Sequence, residues 1–192
     1  MARRLTRAKT KIAAARIPYR VPTAEDLPAR VSGVLAVLFL VFNEGYLSSG
    51  ADTDPIRQDL TGEAIRLARM LRDLLPDDGE VAGLLALMLL TDARRSARVS
   101  PGGELVPLDE QDRSLWDRER IDEGGVILER ALRRRRAGPF QIQAAIAACH
   151  ATAPSLDETD WPQIVGLYEQ LRRVAPSPIA DLNHAAAVSM AQ

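Results

Sequence analysis

Cysteine occurs once in the 192 residues, at Cys149. That excludes an internal disulfide framework and fits a reducing compartment. Histidine occurs only at His150 and His184, and lysine only at Lys9 and Lys11, so arginine carries nearly all the positive charge. There is no CxxC, HExxH, Walker loop or GxSxG, which removes the common zinc, metalloprotease, nucleotide and hydrolase signatures. Cys149 and His150 are adjacent, so on a helix their side chains diverge and do not act as one dyad. DTDP and PDDGE resemble fragments of calcium loops but lack the full ligand series. No cofactor, metal ligand set or catalytic residue is therefore expected. The longest apolar run is far shorter than the ~20 residues of a membrane span. The basic start is not followed by the apolar core of a signal peptide. The expectation is a cytoplasmic chain without membrane contact. A formal charge of -1 gives no bulk attraction to nucleic acid. The charge is uneven, however: 1–20 holds Arg3, Arg4, Arg7, Lys9, Lys11, Arg16 and Arg20 and no acidic residue.

What is present is organised around Val31–Tyr46, VSGVLAVLFLVFNEGY. Val34 to Phe42 are all apolar, and the text then turns polar at Asn43, Glu44, Gly45 and Tyr46. Asp26 and Pro28 before the run and Gly45 after it read as helix start and stop. A helix apolar on every side needs neighbours all round. Val34–Phe42 is therefore expected at the centre of an all-α bundle, and a water-facing edge for it would overturn both that architecture and the family resemblance of this stretch. Asn43 and Glu44 either tie down the helix end or face a site.

The remaining text alternates helical periodicity with turns. A basic helix is expected over 3–15, a linker over 17–25, and a core bundle over 26–100. In that bundle a second helix, 55–75, would bury Leu60, Ala64, Leu67, Leu71 and Leu74. A third, 80–98, capped by Asp77 or Asp78, contains VAGLLALMLL and should pack on the first. A loop or short hairpin at Gly102-Gly103 is expected in 101–114, beside a charged patch of Asp109, Glu110, Asp112 and Arg113 near Trp116. Helices follow over 115–136, 140–153, 161–174 (capped by Asp160) and 180–192. The Arg133–Arg136 run reads as a solvated helix end. In the last third, Tyr168, Leu171, Val174 and Pro176, then Leu182, Ala185 and Ala186, match a tetratricopeptide boundary. Leu128, Ala131 and Leu132 begin a weaker copy at longer spacing. The segment 115–192 is therefore read as TPR-like helix pairs.

Two stretches point to one family. RRLTRAKTKI resembles the tail of the region-four recognition helix of bacterial sigma factors. IPYRVP, LPARVSGVLAVLFLVFNEGY, EAIRLARML, LLALMLLTDARRSAR, LDEQDRSLWD, GPFQIQAAIAACHA, TDWPQIVGLYEQL and APSPIADLNHAAAV resemble the carboxy-terminal TPR-like extension of a group of extracytoplasmic-function (ECF) sigma factors. The resemblance implies a parent protein that initiates transcription at specific promoters. RNA polymerase core and promoter DNA would then be bound through regions upstream of this segment. It implies that 1–16 is the tail of the DNA-binding helix, with Arg3, Arg4, Arg7, Lys9 and Lys11 on the DNA backbone of the parent. For this segment it implies a regulatory, protein-interaction role: contact with the sigma regions, or with a YCII-like (DGPF-type) partner protein. The polar residues matching the family motifs are Asn43, Glu44, Tyr46, Asp92, Arg94, Arg95, Asp109, Gln111, Asp112, Arg113, Trp116, Gln141, His150, Asp160, Trp161 and Asn183. They are candidates for a partner or ligand site or for a structural cluster. Two further readings stand beside this one: a free-standing TPR-like adaptor for a peptide or small ligand, and an enzyme with Glu44 as base. Whether NEGY and LDEQDRSLWD meet in space is left open by the sequence.

Overall fold

The computed structural model describes residues 6, 7, 10, 11, 14, 15, 23, 25–47, 57–100, 102–134 and 137–192. Among them are seven α-helices: α1 (Leu27–Tyr46), α2 (Gln58–Leu74), α3 (Gly79–Asp92), α4 (Arg118–Leu132), α5 (Pro139–Thr152), α6 (Trp161–Val174) and α7 (Pro178–Met190). The only extended pairing among the described residues is an isolated antiparallel bridge, Val99 with Leu105. It closes on Gly103, whose φ of 84° suits a residue without Cβ. The expected all-α class is present, and at the expected Gly102-Gly103 hairpin the described residues form this single bridge without strands.

The chain divides into two compact units, Met1–Val34 and Leu35–Gln192, with the boundary inside α1. In the first unit, the described residues Thr6, Arg7, Thr10, Lys11 and Ala14 are helical, and Arg7 and Lys11 are exposed. Arg3, Arg4 and Lys9 lie outside the described residues, as do Pro18 and Pro22 of the linker and the expected Asp54-Pro55 helix start. Thr23 and Asp26 bond reciprocally ahead of α1: each backbone N–H donates to the other's side-chain oxygen at 3.3 Å. This is the capping-box arrangement with Asp in the acidic position.

In the second unit the centre is α3, not α1. Val81, Leu84, Leu85, Ala86, Leu87, Met88, Leu89 and Leu90 are all buried, and α3 packs against α2, α4 and α5. Each fully buried leucine contributes about 2 kcal/mol of transfer free energy. The expectation for Val34–Phe42 is corrected. Leu35, Leu38 and Phe42 are buried on one face of α1, but Val34, Val37 and Leu40 are 45%, 59% and 66% exposed. The two apolar helices have similar composition, so composition does not say which one the amphipathic helices surround. Small residues decide it. Gly83 of α3 lies so close to α5 that a Cβ there would stand 2.6 Å from the Gln141 amide nitrogen, and a Cβ at Gly124 of α4 would stand 2.9 Å from Leu90 Cγ. These glycines let two helices close onto α3, and nothing comparable lies on the open face of α1.

The buried face of α2 also differs from expectation. It is Thr61, Ala64, Ile65 and Ala68, while Leu60, Leu67 and Leu71 are half-buried and Leu74 is exposed. The small residues take the line of closest approach. Asp78 caps α3 by accepting from the Glu80 and Val81 amides, and Asp160 caps α6 by accepting from Gln163. α3 stops at Asp92, six residues short of the expected end, and the chain turns into a 3-10 helix at Arg95–Ala97. Another 3-10 turn, Arg113–Leu115, precedes α4, so Trp116 sits in a connection rather than a helix. Successive helices α4, α5, α6 and α7 pack each on the next, and α5, α6 and α7 share a core of Ile142, Ile146, Ile164, Leu171, Ala180 and Ala187.

By length and composition α1 is the one described helix able to cross a membrane. Phe39 nevertheless meets Phe140 of α5 edge-on at 5.5 Å. At the other end of α1, Gly45 O accepts from the Arg57 amide at 2.7 Å. A Cβ at Gly45 would stand within 2.9 Å of the Thr61 nitrogen, Leu60 Cβ and Arg57 oxygen. The glycine of NEGY is thus a close-approach residue beneath the start of α2.

Candidate functional site

The early stop of α3 aims its arginines sideways. Arg94 occupies φ -90°, ψ 0°, the bridge region used by tight turns. Its Nη2 donates to the Tyr46 hydroxyl at 3.4 Å, and its guanidinium lies 5.9 Å from the Trp116 ring centroid. One turn later Arg98 stacks over the Tyr46 ring at 3.7 Å. Arg113 covers Trp116 at 4.6 Å, and its Nη1 donates to the carbonyls of His150 and Ala153, both at 2.8 Å. Those carbonyls lie at the C-terminal end of α5, where cations are favoured by the helix dipole. His150 in turn meets Trp161 edge-on at 5.3 Å. NEGY and LDEQDRSLWD therefore do meet, through a seam in which rings and guanidiniums alternate over Tyr46, Arg94, Trp116 and Arg113, and which continues through the His150 carbonyl to the His150 and Trp161 rings. Each such cation–ring contact contributes about 0.5–2 kcal/mol.

The electrostatics follow from burial. Burial pushes Arg94 below its ordinary pKa; Tyr46 opposes this and Arg98 adds to it. Burial, then Arg94 and Arg118, do the same to Arg113. His150 is lowered to about 4 by burial first and by Arg94 and Arg113 next, so its ring is neutral at pH 7. The half-buried Cys149 thiol is pushed up by burial and by Asp160, which makes it a poor nucleophile near neutrality.

Other motif residues serve different ends. Asp92, 1% exposed, holds Arg95 at 3.2 Å and bonds Arg120 directly, tying the end of α3 to the start of α4. Asp112 caps the Arg113–Leu115 turn by accepting from Ser114 N at 2.9 Å. Its carboxyl is held below the usual carboxylate range chiefly by Ser114. Gln111 is buried and donates to Val106 O at 3.0 Å. Gln141 is buried at the opposite end of α5 from His150. There Glu80 caps α5, accepting from the Phe140 and Gln141 amides at 3.0 and 3.2 Å. Asn43 and Asp109 are exposed, Glu44 is half-buried, and Asp160 is confined to its cap. The charged patch is split: Arg113 turns inward, while Asp109, Glu110 and Asp112 face water. Arg135 and Arg136 lie outside the described residues. Arg133 pairs with Glu129 on the surface, and Arg134 with Asp77. Among the described residues no group of three His, Cys, Asp or Glu could hold a metal ion.

Arg94 and His150 also form one wall of a groove of about 470 Å³ between the exit of α3 and helices α5, α6 and α7. Gln143, Tyr168, Ser177 and Asn183 supply its other polar groups, over an apolar floor that includes Ile146 and Leu171. The Tyr168 phenol is pushed up by burial, against the opposing effect of its hydrogen bond with Asn183. Arg98 and Gln143 are not among the site residues singled out from the sequence, where Tyr168 stands only at a repeat boundary. The i, i+4 spacing of Arg94 and Arg98 was the available signal for the first of these.

A family model described as "Family of unknown function (DUF6596)" matches residues 30–132, which include the seam from Tyr46 to Trp116. The chain is similar to "Uncharacterized protein R00370" of Rhizobium meliloti (strain 1021), at 48% identity over 189 residues, 98% of this chain and 44% of that protein. It thus spans less than half the length of the curated relative that it matches. No solved structure matches.

Proposed function

The chain belongs to this DUF6596 family of unknown function, and from that premise we propose that it is a protein-interaction module, the regulatory extension of an ECF-type sigma factor. The observation that carries the binding role is the groove, framed by three successive helices, with polar walls and an apolar floor. Stacked helix pairs offer such surfaces to partners. The ordered set of motifs, from RRLTRAKTKI to LNHAAAV, supports the sigma-factor parentage. The exposure of Val34, Val37 and Leu40 counts against that parentage, which the order of the motifs alone then carries. The helical, exposed Arg7 and Lys11 fit a recognition-helix tail whose phosphate contacts belong to the parent protein. In this reading the role is binding and not catalysis. RNA polymerase core and promoter DNA are engaged by other regions of the parent, and a YCII-like protein is a further partner. In this reading the location is cytoplasmic, as transcription requires; the burial of Leu35, Leu38 and Phe42 against the domain supports a packed rather than a membrane-spanning α1. A free-standing adaptor would use the same groove without sigma regions.

The experiment uses the rhizobial relative. Its segment corresponding to this chain and its remaining portion are expressed separately. The remainder should bind RNA polymerase core and direct run-off transcription, and the segment should bind the remainder at micromolar concentration and change transcript yield. A remainder that does not associate with polymerase rejects the sigma-factor parentage. A segment that neither binds the remainder nor alters transcription rejects the regulatory role.

A further inference from the structure

The charge around the groove is not balanced. Arg66, Arg69, Arg95, Arg120, Arg134 and Arg172 each pair with a carboxylate. Arg94, Arg98 and Arg113 pair with none among the described residues. Their partners are the Tyr46 and Trp116 rings, a phenol oxygen and two backbone carbonyls. Two of the three influences on Arg113 are other arginines. Removing a guanidinium from water without a counter-charge is unfavourable, and rings and carbonyls offset it only in part. Of the three, Arg94 is the one that lines the groove, and a cation held in this way at the wall of an open cavity is a preorganised seat for an anion.

The groove lining fits that role. It contains Arg94 and no Asp or Glu. Tyr168, Ser177, Asn183 and Gln143 are neutral and can donate to a carboxylate oxygen. The neutral His150 adds no competing charge. The floor is apolar, and at the rim Ile179 is 71% exposed, with Leu182 of the same helix 69% exposed. The apolar surface thus continues beyond the cavity, further than a small anion would cover, whereas an extended segment of chain would lie along it.

We propose that the groove receives an acidic peptide segment, with a carboxylate seated on Arg94 and flanking apolar side chains on Ile146, Leu171 and Ile179. This rests on the reading of the groove as the interaction surface, and names the chemistry of what enters it. A charge-assisted, two-pronged contact to a guanidinium selects carboxylate over carboxamide.

The test uses the intact 192-residue chain, immobilised. The probes are pools of N-acetylated, C-amidated octapeptides, with a central Asp or Glu among randomised Ala, Val, Ile and Leu. Matched pools carry Asn or Gln at the centre. Captured peptides are quantified by mass spectrometry, and the fold of each variant is checked by circular dichroism. The acidic pools should be retained at least about ten-fold over the amide pools, which corresponds to about 1.4 kcal/mol. Arg94→Gln should erase the preference. Asn183→Glu, at an exposed groove position, should erase it too by supplying the missing counter-charge, and it decides the matter if Arg94→Gln does not fold. Arg134→Gln, away from the groove, should leave it intact. Equal retention of the two pools overturns the carboxylate assignment but not the interaction role. Retention of neither pool overturns the acidic peptide as occupant, while the interaction role is decided by binding to the remainder of the parent. A preference that survives Asn183→Glu overturns the assignment of Arg94 as the seat. Inorganic phosphate binding more tightly than the acidic pools overturns the peptide as occupant.

Discussion

Gly83→Val should lower the thermal midpoint by about 6–12 °C, the shift expected when a protein of this size loses about 3 kcal/mol to overpacking. The reason is the distance between α3 and α5. A Cβ at Gly83 would stand 2.6 Å from the Gln141 amide nitrogen and 2.9 Å from its Cα. Both are backbone atoms, so no side-chain rotation relieves the clash and α5 itself must move. That movement opens the packing around Leu84 and Met88 and draws the Phe140 and Gln141 amides away from the Glu80 carboxylate that caps them. The intrinsic helix preference for a non-glycine residue works the other way, but is smaller. Gly62 of α2 provides the control, since a Cβ there meets nothing within 4 Å. Gly62→Ala should therefore stabilise by about 0.5–1 kcal/mol. Thermal melts of both variants followed by circular dichroism check the pair. An unchanged midpoint for Gly83→Val would refute the close α3–α5 contact.

Asp92→Ala should cost about 3–5 kcal/mol, the range for removing one member of a buried ion pair. The carboxylate is almost fully buried, and its partners Arg95 and Arg120 are themselves largely covered, with side chains 22% and 28% exposed. Without it two guanidiniums remain in a poorly solvated place and the end of α3 is released from the start of α4. Asp117 keeps one contact, with Arg120 at 3.0 Å, which sets a limit on the loss. The double variant Asp92→Asn/Arg120→Met should recover part of the loss, because it removes both members of the buried pair. Glu129→Ala, which breaks a pair exposed on both sides, should change stability by less than about 1 kcal/mol. Urea titrations of the three variants and the parent chain give these values. Equal effects for Asp92→Ala and Glu129→Ala would contradict the role given to Asp92.

The elements most legible in the sequence were those with local signals. Trp161–Val174 has a capping Asp160, a proline in its first turn and apolar residues at helical spacing, and the helix has those bounds. Asp78 is a cap for equally local reasons. The choice of centre was not legible. VLAVLFLVF and VAGLLALMLL have the same apolar character, and what separates them is which neighbours can approach closely enough to cover them. Gly79 and Gly83, spaced i, i+4 on α3, carried that information, with Gly124 on α4 facing the same helix. Leucine counting likewise misassigned the face of α2, because Ala64 and Ala68 pack closer than Leu67 and Leu74 can.

For the candidate site, the residue types were legible and the grouping was not. Tyr46, Arg94, Arg113, Trp116, His150 and Trp161 were singled out from separate motifs. They meet because α3 ends early and because Arg113 reaches the carbonyl end of α5. Neither event is written in the periodicity of DARRSAR or of LDEQDRSLW, since arginine in a last turn usually faces water. Asn43, Asp109 and Asp160 came from the same motifs and stay outside the seam.

The seam, the groove and the Asp92 tie all hang on α3 as the covered centre of 35–192, and native-state amide hydrogen exchange tests that most directly. The slowest amides should be those of Leu84 to Leu90, exchanging only through global unfolding, while those of Val37 to Leu40 in α1 should exchange faster through local opening. Greater protection over Val37–Leu40 than over Leu84–Leu90 would contradict it.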